Sequence, residues 1–283
     1  MQDSNYTIRA MTRQDVDVAI DWAAAEGWNP ETYDADCFYA ADPDGFLIGL
    51  VGNEPVATLS AVKYDDSFGF LGFYIVKPNY RGQGYGLQIW NAGLAYLEGC
   101  TIGLDGVVAQ QENYRQSGFT FAYNNVRYQG VGGRNCPTDA AIVPLSTIPL
   151  DDLGAYNKPF FPDDRLSFLQ CWIARPQSTA LGILRNNKLA GYGVARICRT
   201  GYKVGPLFAD SEDLADQLFS ALKAHVPADA PIFLDIPMPN TAAVELVQRH
   251  KMTAVFETAR MYKGKSPAFP LERLFGVMTF ELG

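Results

Sequence analysis

Six consecutive residues, Arg81-Gly82-Gln83-Gly84-Tyr85-Gly86, carry the clearest chemistry in the chain. Three glycines at alternate positions follow a run, Phe68 to Val76, in which every residue is apolar or glycine. Leu87, Trp90, Leu94 and Leu97 come next at three- and four-residue steps, the spacing of one helix face. A buried strand, a glycine turn and a helix N-terminus together form an anion cradle. Glycine lets backbone N–H groups approach a phosphate, the helix end contributes free donors and partial positive charge, and Arg81 adds a cation. The spacing G-x-G-x-G, with no Lys-Ser/Thr after it, fits neither the dinucleotide fingerprint nor the P-loop.

The stretch resembles the pyrophosphate loop of the GNAT superfamily of acyl-CoA-dependent N-acyltransferases. Arg81, Gly84 and Gly86 meet its R/Q-x-x-G-x-G/A signature, and Val76 to Gly84 (V-x-P-x-Y-R-G-Q-G) meets its usual run-in. The resemblance implies acetyl-CoA, or another short acyl-CoA, as co-substrate, held by Arg81, Gly82, Gln83, Gly84, Tyr85 and Gly86. Backbone amides at Ile75 and Val76 would meet the thioester arm. Tyr114-Arg115-Gln116-Ser117-Gly118-Phe119 matches the family's Y-x-x-x-G-F, which makes Tyr114 the expected acid for the departing thiolate. The base is open among Asp105, Glu112, Asp34, Asp36 and a water relay. Asp105 recurs as Asp235 in a region without a glycine loop, which favours a structural turn or cap for it. By resemblance the acceptor, a small-molecule primary amine, would meet Trp28, Asn29, Tyr33 and Asp34, aromatics interleaved with carboxylates. One departure is Val107, where many members carry Asn.

The elements that must position these residues read as an α/β chain with mixed sheets flanked by helices. Strands are expected at Tyr6–Ala10, Phe46–Val51, Val56–Lys63, Thr101–Val108 and Thr120–Gln129, with a helix after Thr12 and a short one before Gly118. The glycine-dense stretch Gly130 to Pro137 divides the chain, and beyond it the order of elements recurs. A shift of 133 positions lays Asn53 on Asn186, Ala57 on Ala190, Gly72 on Gly205 and Arg127 on Arg260. This predicts two consecutive copies of one unit, residues 1–135 and 136–283. Under the same shift the glycine loop falls on Leu214-Ala215-Asp216-Gln217-Leu218-Phe219, which has neither glycine nor cation, so the second copy reads as degenerate.

Composition bounds the rest. With 283 residues, 48% hydrophobic and 19% charged, the chain reads as globular, and no apolar run is long enough to span a membrane. The N-terminus shows no signal-peptide core, so the expected compartment is the cytoplasm. Five scattered cysteines predict reduced thiols, and two histidines without Cys-x-x-Cys predict no metal site. A net charge of −8 argues against nucleic acid as a partner. Two rival functions remain: a non-catalytic acyl-CoA-binding regulator, and a transferase using another donor such as an aminoacyl-tRNA. The assembly expected is a monomer that is internally a pseudo-dimer, or a homodimer.

Overall fold

The computed structural model describes residues 5–31, 33–133, 141–163 and 165–283. In chain order the first half is β1 (Tyr6–Ala10), α1 (Arg13–Ala25), α2 (Asp34–Ala41), β2 (Phe46–Val51), β3 (Glu54–Tyr64), β4 (Phe68–Val76), α3 (Tyr85–Tyr96), β5 (Thr101–Val107), α4 (Gln111–Gln116) and β6 (Thr120–Val131). The second half follows with β7 (Ile142–Pro144), α5 (Leu150–Asn157), α6 (Leu166–Ala174), β8 (Ser178–Arg185), β9 (Lys188–Ile197), β10 (Tyr202–Ala209), α7 (Glu212–Ala224), β11 (Pro231–Pro237), α8 (Thr241–Arg249), β12 (Thr253–Lys263) and β13 (Leu274–Gly276). The expected repeat is present element by element. The proposed division at residues 135 and 136 lies outside the described residues, as does Cys136.

Local sequence explains most boundaries. Thr12 and Asp15 form a reciprocal capping box at the start of α1. Ser211 caps α7 through the Leu214 amide. β4 is apolar throughout because both of its faces are covered, by α3 on one side and α1 on the other.

The two copies do not form separate sheets. A single 13-stranded sheet runs β1-β2-β3-β4-β5-β12-β6-β11-β10-β9-β8-β7, with β13 paired to β10. The last long strand of each half has crossed over: β12 lies antiparallel against β5, and β6 lies antiparallel against β11. Two buried ion pairs lock the exchange. Arg127 on β6 donates to Asp235 on β11 through Nε (2.7 Å) and Nη2 (2.8 Å). Arg260 on β12 donates to Asp105 on β5 through Nε (2.8 Å) and Nη2 (2.6 Å). Asp235 sits below the usual carboxylate range: burial opposes its charge, but Arg127 and then Lys203 and Arg196 outweigh that. Burial pushes Asp105 upward, Arg260 pulls against it, and nearby Glu281 adds to the rise.

On one face of the sheet, α3 and α4 cover the first copy, and α7 and α8 cover the second. The other face carries a shared core in which Phe38, Phe168 and Trp172 pack at the meeting of α2 and α6. Here one expectation is corrected. Cys37 on α2 and Cys171 on α6 form a disulfide, with Cα atoms 5.4 Å apart. The two cysteines are 134 positions apart, nearly one repeat, and meet only because equivalent helices pack against each other. Cys100 and Cys198 are free thiols.

Removing one partner of a crossed pair should be costly. Arg127→Leu strands the Asp235 carboxylate in the sheet and is expected to lower stability by about 3–5 kcal/mol. Arg127→Leu combined with Asp235→Leu should recover most of that loss, read as midpoints in urea titrations.

Candidate active site

β4 and β5 pair in parallel only from Phe68↔Thr101 to Leu71↔Leu104, and beyond that point they splay. A bulge in β4 sits at the fork, where Ser60↔Gly72 is followed by Thr58↔Ile75. Within it Phe73 holds a positive φ of 46°, an uncommon conformation for a bulky residue, stabilised by the Thr58 hydroxyl donating to its carbonyl (2.8 Å). Lys77 N–H donates back to Val56 on β3, while the Val76 carbonyl accepts from Arg81 Nε at 2.9 Å. By strand alternation, the Val76 amide therefore faces the fork rather than β3.

The fork opens into a cleft of about 1010 Å³. Gly82 and Gly84 line it with φ of 76° and 85°, and a Cβ at either would meet nothing. Backbone conformation, not space, requires glycine there. Gly86 differs, since a Cβ would lie 2.7 Å from the Tyr74 hydroxyl. Gly84 is the N-cap of α3 and supplies no side-chain cap, so the first amides of the helix remain available to an anion at the cleft wall. Arg81 is also bound to Glu26 from the end of α1 (2.6 Å), which ties the loop to the neighbouring helix.

Tyr114 enters from α4 and is 8% exposed. The α4 turn ends at Gly118, with φ of 89°, whose amide donates to Arg115, while the Phe119 amide reaches the Tyr114 carbonyl (3.1 Å). Phe119 then packs on Trp90, which also meets the Tyr114 ring at 5.6 Å. The Y-x-x-x-G-F spacing is thus a helix stop that fixes a phenol. Burial pushes the Tyr114 hydroxyl up to about 12, with Tyr74 adding to the shift, so it is protonated at neutral pH. Among the described residues that hydroxyl has no hydrogen-bond partner.

Of the residues singled out from sequence, the cleft brings together Trp28, Ile75, Val76, Arg81, Gly82, Gly84, Gly86, Asp105 and Tyr114. It does not bring Gln83 or Tyr85 to its wall. Gln83 bonds the Asn79 carbonyl (2.9 Å), and Tyr85 packs against Tyr6 beneath the loop. Three of the residues expected at the acceptor end, Asn29, Tyr33 and Asp34, lie outside the cleft. Asn29 is spliced to Thr200 of the second half by two hydrogen bonds of 2.9 Å. Tyr33 is the N-cap of α2. Asp34 is buried, binding Arg175 (2.8 Å) and Arg196 (2.9 Å) beside Glu31, both guanidinium groups stacked on Trp172. Asp105 lines the cleft, but both its oxygens are held by Arg260, and Asn125 adds a third bond at 2.8 Å. Sequence reasoning missed Phe256, Thr258, Phe280 and Glu281, which the second half contributes to the same cleft. The Gly72–Gly205 correspondence was the available signal, since both glycines are covered by the segment that carries Glu281.

The equivalent fork in the second copy is filled. β10 pairs with β11 from Tyr202↔Ile232 to Val204↔Leu234, and then β13 takes its edge at Leu207↔Gly276. The Val277 amide donates across to the backbone carbonyl of Asp235 on β11 (2.7 Å), closing the gap. With Ser211 already capping α7, neither an open edge nor an uncapped helix end remains there.

The acetyltransferase (GNAT) family pattern matches residues 14–119, and an acetyltransferase (GNAT) domain pattern matches residues 154–276. The chain is 27% identical to holothin acyltransferase of Pseudoalteromonas sp. (strain SANK 73390) over 282 residues, covering 100% of this chain and 96% of that one. A solved structure from Pyrococcus horikoshii, assigned as an acetyltransferase, superposes with a TM-score of 0.83 at 24% identity, covering 99% of this chain and 96% of its own. A tandem GNAT protein from the clavulanic acid biosynthesis pathway superposes with a TM-score of 0.60 at 12% identity, covering 93% and 100%. These two show the fold.

The packing of Tyr114 can be tested directly. A Cβ at Gly106 would lie 2.2 Å from the Tyr114 ring, so Gly106→Ala must displace it. The expected cost is about 1–3 kcal/mol in urea unfolding, as for an overpacked core, with a displaced ring in the variant's crystal structure.

Proposed function

The chain is a tandem member of the GNAT acetyltransferase family, and from that premise we propose that its first copy transfers a short acyl group, acetyl in the first instance, from CoA to a primary amine of a small molecule. The observation that carries this reading is the pairing of an open β4–β5 fork with an uncapped α3 N-terminus in one copy, against a filled fork and a capped helix in the other. The diphosphate fits the α3 amides and the Gly82–Gly84 turn, with Arg81 beside them. The thioester arm fits the unpaired edge of β4, where the Val76 amide can polarise the carbonyl.

The chemistry follows from the groups at the fork. The amine attacks the thioester carbon directly, the C–S bond breaks, and Tyr114 donates its proton to the departing thiolate. Asp105 serves as the anchor of Arg260 and the β5–β12 seam, and leaves proton removal to another group. A small-molecule acceptor accords with the full-length relative named as an acylating enzyme for holothin. Trp28, Phe256 and Phe280 give the acceptor end an aromatic wall.

Turnover of acetyl-CoA against a panel of amines, followed as free thiol, tests the proposal. Amine-dependent thiol release is expected, and Tyr114→Phe should lower kcat by roughly 10²-fold. Because burial pushes the Tyr114 hydroxyl up to about 12, the acid stays protonated and no loss of kcat from its ionisation is expected up to pH 10. CoA binding with no amine-dependent turnover would instead favour the binding-module reading.

A further inference from the structure

We propose that Glu281, carried by the segment after β13 in the degenerate copy, is the catalytic base of the first copy's site. This inference rests on the acyl transfer proposed above, and supplies the proton acceptor that Asp105 is not free to be.

The closing segment, residues 277–283, runs from one fork to the other. A Cβ at Gly205 would lie 2.7 Å from the carbonyls of both Val277 and Met278. At the repeat-equivalent Gly72, it would lie 2.2 Å from the carbonyl of Glu281. Both forks therefore keep a glycine so that this one segment can cross them. Beyond Glu281 the segment is anchored. The Leu282 carbonyl accepts from the Tyr64 hydroxyl (2.9 Å), its side chain is fully buried, and the Gly283 carbonyl accepts from Arg165 (2.8 Å).

Glu281 itself is 5% exposed and lines the cleft. The Thr279 hydroxyl donates to one carboxylate oxygen, and the Glu281 amide donates back to Thr279 Oγ1 at 3.0 Å. The charges that reach it are Asp105 on β5, Arg127 on β6 and Arg196 on β9. Each is already committed, to Arg260, Asp235 and Asp34 respectively. Among the described residues no cation forms an ion pair with Glu281. A buried, positioned and unpaired carboxylate at the fork is what proton removal from an amine requires. The buried Thr258 hydroxyl, also on the cleft wall and without a partner among the described residues, can hold the acceptor or one relaying water.

The step balances. The amine nitrogen bonds to the thioester carbon as the C–S bond breaks, Tyr114 protonates the thiolate, and Glu281 takes the proton lost by nitrogen. The products are the amide and free CoA thiol. Return of that proton from Glu281 to Tyr114, directly or through solvent, resets the site.

The test is Glu281→Gln, which keeps an oxygen to accept from Thr279. An arylamine bearing a strongly electron-withdrawing group, whose conjugate acid is far more acidic than a carboxyl group, keeps titration of the amine itself out of the acid limb. The expected result is a fall of roughly 10²-fold in kcat and loss of the acid limb of kcat against pH, with acetyl-CoA affinity by calorimetry held within about twofold. Glu281→Asp should restore part of the rate. Wild-type kcat and an unchanged acid limb in Glu281→Gln, with Tyr114→Phe still impaired, would overturn the assignment and leave acyl transfer standing. If the wild-type protein binds acetyl-CoA but acylates no amine, acyl transfer fails on its own. Glu281 is then read from acetyl-CoA hydrolysis, with water in place of the amine, where equal rates in wild type and Glu281→Gln would overturn it.

Discussion

Two arginine–aspartate pairs, each drawn from both halves of the chain, hold the molecule together at its centre. A guanidinium and a carboxylate buried side by side satisfy each other only if both hydrogen bonds form, and the penalty for separating them is large. Arg127 pairs with an aspartate of the other half because its strand lies against β11, and Arg260 is in the mirror situation against β5. The middle of the sheet, β5-β12-β6-β11, is thus specified by charge as well as by apolar pattern. Asp105 and Asp235 read naturally as members of this lock, even though Asp105 also borders the cleft.

On that symmetric frame the two forks have diverged. The first has a left-handed glycine at the head of α3 and a free strand edge. The second has a serine cap at α7 and an added strand, β13, along β10. A capping side chain at one helix start and one short strand are what separate a fork with free backbone groups from packed structure, because both act on the same few backbone groups. The segment that fills the second fork continues into the first, so the closing of one fork and the lining of the other are physically one arrangement.

Much of this was legible in the residues. The glycine loop, the Tyr114 helix stop and the helix after Thr12 rest on neighbours within a few positions, where turn chemistry and periodicity carry the information, and the internal repeat shows as one constant shift. The identity Arg127–Arg260 also surfaced from the repeat, but not its meaning, because spacing along the chain does not say which copy a strand joins. For the same reason the Cys37–Cys171 bond was not visible, and Asn29 and Asp34 looked available to a ligand when they belong to contacts between the halves. Glu281 left the faintest trace. It is one acidic residue in an apolar closing run, and only its passage over Gly72 gives it a place.

The strand exchange also bears on how such a chain could arise and what it has since become. A pair of separate subunits trading their last strands would present the same seam, and joining them end to end would relieve them of having to find each other. Once fused, neither portion can be discarded: cutting after β6 would leave β5 with a bare edge and a carboxylate without its guanidinium. The second copy, with its fork filled, is thereby kept as scaffolding for the first, whose fork stays open.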